Sequence, residues 1–513
     1  MRSSIVERPR QFQLAPLAGI ALALAASALI VRQPFPVNVG VVPAIATIVA
    51  YVLLPVVSPL LLVASVPMQT VGAFNLGGVG LTATKLALAG SVAALLIHLV
   101  TRRDGLRGSV ILVPYVGYVL AMVLSLSVAQ DLSAGFTEIY RWIVTVFALA
   151  LVLHAVRSRR AVLALVGMMG LGVLGQVAYG AIQSLLALGP ASFAVTKSVF
   201  RAYGTFGKPN TFAGYLEMTG PLLLAVAVWS ARRMAEAFNR YRSARLDGME
   251  ASRGERREVA VWVAFTALLV LSGLSSLVGI VLSFSRGAWL GVAAGILAML
   301  MVSARRLPIL RLVVVGVLAA IIAGGGIHYA PAAIQDRYEQ LVSQIRLFDS
   351  REVMVTPQTF AAVERMAHWQ TGLAMFASDP ILGIGVGNFN VRFTEFHIHP
   401  GFPISAGHAH NYYIQALAET GIVGLVAYLA LMGTALATCI RAARTGTDGL
   451  ARAVGIGAVG VTVAVMIHNV VEDLHVLNLG IQLAAVWGLA VVGMRLAEER
   501  QPPALNRTAP QAD

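Results

Sequence analysis

The stretch VAVWVAFTALLVLSGLSSLVGIVLS, residues 259–283, runs for 25 residues without one charged side chain. At about 1.5 Å of rise per residue, such a helix crosses the ~30 Å hydrocarbon core of a bilayer. The arginine-rich SRGERRE precedes it and the polar turn SFSRG, at 283–287, ends it. Comparable apolar runs recur at 14–31, 37–53, 55–72, 79–100, 109–128, 135–156, 161–186, 210–231, 286–304, 308–325, 411–440, 451–471 and 474–496. Composition agrees, with 58% hydrophobic residues, 12% charged and a mean hydropathy of +0.77. The sequence is therefore read as an all-α polytopic integral membrane protein of about 12–14 transmembrane helices, with one long, partly helical extracytoplasmic loop. Within 37–72 either two spans or one span and a re-entrant segment fits the pattern.

A net charge of +14 could suggest nucleic acid, but the placement of the charges argues for the bilayer. Most of the 38 Lys and Arg lie in the N-terminus, TRRDGLRG, RSRR, the 232–258 segment, ARRLP, RAARTGTDGLAR and the tail, which are alternate connections between spans. That is the positive-inside pattern, which predicts cytoplasmic N- and C-termini. The first run, 14–31, lacks a small-residue cleavage site and reads as the first helix rather than a signal peptide. The expected organisation is an N-terminal set of helices over 1–325, with an outer loop at 187–209 and a cytoplasmic loop at 232–258. A large outer loop at 326–410, C-terminal helices at 411–496 and a disordered cytoplasmic tail at 497–513 follow. The single cysteine, Cys439, lies inside an apolar run, so neither a disulfide framework nor a thiolate metal site is available.

This topology assigns a side to every polar feature. The outer side receives VTKSVFRAYGTFGKPN (195–210), SFSRG, the 326–410 loop and HNVVEDLH (468–475). In the long loop, YEQLVSQIRL and ERMAHWQTGLAMFASDP carry helical periodicity, and the segment is expected to cap the membrane helices. The glycines of PILGIGVGNF are read as turn chemistry rather than a phosphate cradle, because no P-loop lysine accompanies them.

Lys85, Arg141, Glu217, Arg286 and Glu419 fall within or at the edges of apolar spans, all toward the outer side. Intramembrane charges are costly and commonly face a cavity, although snorkelling to the interface is the simpler explanation for any one of them. Five on one side predict a polar cavity opening outward. Arg201 and Arg286, joined by Arg141 and Lys208, would bring cations there, and guanidinium groups pair phosphate oxygens bidentately. A lipid diphosphate suits such a pocket. At its rim stands HAHN, residues 408–411. A histidine at a helix start is a candidate base, able as the neutral imidazole to take a proton from a hydroxyl. Two bland alternatives stay open: Asn411 caps the helix while His410 merely packs, or His397, His399, His408 and His410 bind a metal. The cluster of four histidines contains no carboxylate or cysteine.

These residues resemble the O-antigen ligase and polysaccharide polymerase superfamily of bacterial envelope enzymes. The ligase pattern of His-Asn, nine residues, Gly, two residues and a small residue is matched by His410, Asn411, Gly421 and Gly424. An Arg with Leu four positions later is matched by Arg286 and Leu290, and RAYGTFGKPNTFAGYLEM and ERMAHWQTGLAMFASDPILGIGVGNF are similar to further family segments. The resemblance implies a GT-C-like glycosyltransferase of the inner membrane, working at the periplasmic side. It would move a glycan from undecaprenyl diphosphate to an acceptor hydroxyl, on lipid A-core in a ligase or on a carrier-linked glycan in a polymerase, without cofactor, metal or nucleotide. His410 and Arg286 would be catalytic, and Arg201, Arg286, Lys208 and Arg141 would hold the diphosphate. His408, Asn411, Asn210, Glu419, Arg365 and Asp473 would support, although Glu472 competes with Asp473 for the carboxylate of the last outer loop. Lys208-Pro209-Asn210 stands where many relatives have Asn-Pro-Asn, and His397 and His399 have no family counterpart. A transporter would instead place polar residues along a route through the midplane. Gly421 and Gly424 are expected to let a neighbouring helix approach.

Overall fold

A computed structural model describes residues 50–51, 53–71, 74–76, 79–102, 105–196, 199–246, 252–303, 348–356, 359–405, 407–445 and 449–499. The expected spans at 14–31 and 308–325, nearly all of that at 37–53, the 326–347 part of the long loop and the tail beyond 499 lie outside the described residues.

The described chain is nearly all helical. In order it forms α1 (Val57–Ser65), a two-stranded hairpin of β1 (Phe74–Leu76) and β2 (Val79–Leu81), α2 (Ala83–Arg102), α3 (Leu112–Ser125), α4 (Leu132–Ala155) and α5 (Arg159–Leu185). There follow α6 (Pro209–Glu217), α7 (Gly220–Leu246), α8 (Arg253–Leu282), α9 (Arg286–Ser303), α10 (Phe360–Ser378), α11 (Phe389–Phe396), α12 (Tyr412–Thr445), α13 (Gly449–His468) and α14 (Leu479–Glu498). Nine helices among the described residues are long and apolar enough to cross a membrane, with α6 and α7 forming one of them; α1 and α3 are shorter.

Two expected spans are corrected. The run at 55–72 is the nine-residue α1 and a 3₁₀ turn ending at Met68, with Pro67 in that turn. The run at 79–100 does not start as helix: Leu76 pairs with Val79 and Phe74 with Leu81, and α2 begins only at Ala83. The sequence between the strands, Gly77-Gly78, lies outside the described residues and is of a type common in two-residue hairpin loops, a signal that apolarity alone conceals. The 232–258 segment is helical at both ends, with α7 reaching Leu246 and α8 opening on a capping box between Ser252 and Glu255.

α13 and α14 occupy the middle of the bundle. Trp487 on α14 is 1% exposed, and a Cβ at Gly295 of α9 would come within 2.5 Å of the Gly460 carbonyl of α13, so small residues set that close crossing. Val113, Leu271 and Val278 leave apolar side chains on the periphery, as lipid requires. Alternation of helix direction gathers the connections at 66–82, 126–131, 186–208, 283–285, 348–411 and 469–478 at one end, the one expected from the sequence to be outer. Hydrogen bonds knit them: Asp131 N donates to Asn388 Oδ1 at 2.7 Å and Tyr412 N to the Asn469 carbonyl at 2.8 Å.

The long loop docks on α12 through Met375, Ile384, Phe389 and Phe393 packed with Ala409 and Ala418. Its glycine run explains itself here. Gly383, Gly385 and Gly387 all have positive φ, and the segment enters a break in α12 at Gly421, where φ is +63° and ψ −164°. Ile384 N donates to the Ala418 carbonyl and Ile422 N to the Pro380 carbonyl, so the loop takes over hydrogen bonds the broken helix gives up. A Cβ at Gly421 would come within 2.2 Å of the Ile381 oxygen. The expectation that Gly421 and Gly424 admit another helix is thus corrected: Gly421 admits this loop, and Gly424 leaves room for Thr420 of its own helix.

Candidate active site

The site forms where the start of α12 meets the α13–α14 connection. Asn411 is the cap: its Oδ1 accepts from Tyr413 N at 3.0 Å and Ile414 N at 3.1 Å. Just before it, His410 has φ +53°, an unfavourable conformation for a residue with a side chain, and its carbonyl accepts from Trp369 Nε1 at 3.2 Å. Strain of this kind is held only by surrounding structure, and here it aims the ring away from the cap and toward Glu472.

Glu472 is the organising group. His408 Nε2 lies 3.3 Å and His410 Nδ1 3.4 Å from its Oε1, its backbone N–H neighbour Asp473 donates to Oε1 at 3.2 Å, and Asn210 Nδ2 donates to its Oε2. Burial opposes ionisation, yet the facing His410, with Arg365 beyond it, holds this carboxyl well below the usual carboxylate range. His408 goes the other way: burial pushes it down to about 3 against the pull of Glu472, so its ring is neutral. His408 Nδ1 accepts from His410 N at 3.1 Å, which leaves the one ring proton on Nε2, pointing at Glu472. Among the described residues, neither buried ring nitrogen of His410 has a hydrogen-bond partner.

The sequence reading found no carboxylate among the histidines; folding supplies Glu472 from 62 residues beyond His410. His408, His410 and Glu472 are the one group among the described residues whose donor atoms could gather on a metal ion. The tautomer opposes that use, since the protonated Nε2 of His408 has no lone pair to offer. His397 and His399 take no part. His397 is exposed with Nδ1 2.9 Å from the Thr394 carbonyl, and His399 accepts from Gly401 N.

From Glu472 a polar chain runs through Asn210 to Arg201, whose Nη2 donates to Asn210 Oδ1 at 2.9 Å and whose Nε donates to the Ser283 carbonyl at 2.9 Å. Arg286, 8% exposed, opens α9 three residues after Ser283. At the next position, a Cβ on Gly287 would clash with His468 and Val471, so the start of α9 packs closely on the end of α13 and the connection that carries Glu472.

The other two expected cations lie on the far side of His408. Arg141 and Lys208 line a cavity of about 530 Å³ together with Glu138, His408, Glu419 and Asp473, a size within the ~300–1,000 Å³ of small-ligand sites. Arg141 is ion-paired with Glu138, one helical turn away, a partner that the i,i+3 spacing could have revealed. Glu419 accepts from Gln415 Nε2 at 2.9 Å and Phe389 N at 3.0 Å. Of the four expected cations, Arg201 reaches Glu472 through Asn210 while Arg141 and Lys208 line the cavity, and His408 joins the two, lining that cavity and facing Glu472. The expected row of five intramembrane charges is divided too: Glu217 pairs with His468 Nδ1 at 3.0 Å inside the helix packing. Asp473, expected as the supporting carboxylate, faces the cavity instead; burial, and then Glu138, push it up to about 7.

Sequence reasoning missed the floor of this region. Tyr118 and Tyr412 hydroxyls are 2.8 Å apart, the Tyr428 hydroxyl lies 3.0 Å from His475 Nε2, and Trp142 stacks on the His475 ring at 4.7 Å. In an apolar helix such aromatics look like core, and only their polar tips and neighbours distinguish them.

Residues 269–429 match the family model described as O-antigen ligase. The match includes Arg286, Arg365, His408, His410, Asn411 and Glu419, while Arg201, Asn210 and Glu472 fall outside it. No curated protein matches the chain. The match covers less than half of the chain; within it, this multi-pass protein is similar to the O-antigen ligase family.

Proposed function

We propose that the protein is an inverting, metal-independent glycosyltransferase of the inner membrane, transferring a glycan from undecaprenyl diphosphate to a hydroxyl of lipid A-core at the periplasmic face. The observation that carries this reading is His410, whose Nδ1 lies 3.4 Å from the ionised Glu472, while among the described residues neither buried ring nitrogen makes a hydrogen bond, so Nε2 is left for the substrate. That is the arrangement of a general base with an orienting carboxylate.

In the proposed step, His410 Nε2 removes the proton of the acceptor hydroxyl as its oxygen attacks the anomeric carbon. The bond from that carbon to the diphosphate oxygen breaks, and its electron pair leaves with the diphosphate, whose added charge Arg286 and Arg201 neutralise. One displacement inverts the anomeric centre. The imidazolium left on His410 is stabilised by Glu472 until its proton passes to solvent.

The test is transfer from a defined undecaprenyl-diphosphate glycan by the full chain in proteoliposomes, with lipid A-core and a carrier-linked glycan offered in parallel. Inverted product on lipid A-core is expected. Product only on the carrier-linked glycan replaces ligase with polymerase, and no transfer to either removes the transferase reading.

A further inference from the structure

A second cavity, of about 240 Å³, lies between α2, α4 and the α13–α14 connection. Lys85 and Arg141 enter it, with Thr82, Tyr140 and Asn478 beside them; its lining contains no carboxylate among the described residues, the Glu138 partner of Arg141 lying on the side of the larger cavity. The larger cavity is the opposite, lined by Glu138, Glu419 and Asp473. Arg141 lines both, so the cation-lined pocket and the carboxylate-lined cavity adjoin.

The pocket opens on the periphery of the bundle. Leu86 and Val92 of α2 and Phe136, Tyr140 and Ile143 of α4 leave large apolar surfaces exposed around it, from 38% for Val92 to 59% for Phe136. In a bilayer those surfaces face acyl chains, and a lysine at the outer end of its helix places its charge at headgroup depth. Cations at the interface, apolar flanks outside and hydroxyl-accepting carboxylates inside describe the three parts of a phosphorylated glycolipid: phosphate, chains and sugar.

We propose that the Lys85–Arg141 pocket is a lipid-facing anion site that receives a phosphate of the acceptor glycolipid, with the acceptor's sugar directed into the carboxylate-lined cavity toward His408. Two lipids then reach the site from different sides, the donor's diphosphate at Arg201 and Arg286 and the acceptor's phosphate here. Only the naming of the occupant as acceptor rests on the transferase reading; the anion site itself does not.

The experiment measures equilibrium binding of lipid A-core, with and without its phosphates, to the full chain in phosphatidylcholine nanodiscs. The phosphorylated lipid binds more tightly. Lys85→Glu weakens it by about tenfold, the scale of one lost charge-assisted contact, leaves the dephosphorylated lipid unchanged, and Lys85→Arg restores binding. In turnover, Lys85→Glu raises KM for the acceptor and not for the donor. Equal affinity of the two lipids overturns the proposal, as does a rise in donor KM alone, or displacement of the lipid by micromolar inorganic phosphate, which would mark a soluble-anion site. Lys85-dependent binding in a protein that transfers nothing upholds the anion site while removing the transferase reading.

Discussion

Replacing Glu472 by Gln removes the charge facing His410 and keeps the shape and much of the hydrogen bonding. With His410 Nδ1 3.4 Å from Glu472 Oε1, a full imidazolium would be attracted by about 5 kcal/mol at an effective dielectric constant of about 20. In a transition state with the proton roughly half transferred, about half of that is realised, some 2.5 kcal/mol, which corresponds to a loss in kcat on the order of 10². Because the attraction grows only as His410 gains charge, donor KM stays near the wild-type value. The assay is initial-rate glycan transfer in proteoliposomes with the donor varied, for Glu472→Gln, His410→Ala and the double variant. His410→Ala alone lowers transfer to a small residual rate and leaves donor binding intact. Adding Glu472→Gln to His410→Ala costs nothing more, because the carboxylate acts through the imidazole. A Glu472→Gln enzyme with wild-type kcat, or one whose defect persists undiminished in the residual activity of His410→Ala, refutes the assignment and points to the Asn210–Arg201 chain as what Glu472 serves.

Three further outcomes follow from the geometry. Exhaustive chelation leaves transfer unchanged, given the proton on His408 Nε2; activity lost to chelator and restored by zinc would make His408, His410 and Glu472 a metal site. Gly421→Ala lowers thermal stability, since φ +63° alone costs roughly 1–2 kcal/mol and the Ile381 carbonyl lies where the Cβ would go; Gly433→Ala, with nothing within 4 Å, is the control for helix substitution. Asp473, raised to about 7 in the fold, contributes stability that is complete below its unfolded value near 3.9 and lost as pH rises through 7. Asp473→Asn therefore raises Tm in detergent at pH 8 but not at pH 4, and equal shifts at both would contradict the burial argument.

Hydropathy made the membrane class legible because a bilayer demands internally satisfied backbone over some twenty residues, which no ordinary soluble sequence imitates so often. It failed at 55–82 because apolarity does not distinguish a spanning helix from a short helix and a hairpin, and the informative residues there are Pro67 and Gly77-Gly78. The ionisable residues were legible as anomalies in apolar runs, but their partners were not. Glu217 looked like a wall of the cavity until His468 was placed against it, 251 positions away. Glu472 and Asp473 are neighbours of similar chemistry in a ten-residue connection, and which faces the histidines depends on how that connection turns.

The spacing from Asn411 to Gly421 has a mechanical meaning that neither residue carries alone. Asn411 caps the helix at one end and Gly421 breaks it ten residues later, a length of about 15 Å at helical rise. Between them Gln415 Oε1 takes the Ala409 N–H at 2.7 Å, and Glu419 takes the Phe389 N–H that follows the glycine loop. One rigid segment is therefore anchored to the 408–410 turn at its start and, through Phe389 at the start of α11 and the Ile384 and Gly385 N–H groups, to the glycine loop at its end. Each residue added or removed between the two anchors rotates one against the other by about 100°, carrying His410 off Glu472. On this argument the glycines of the pattern belong to the positioning of the base, not to the binding of substrate.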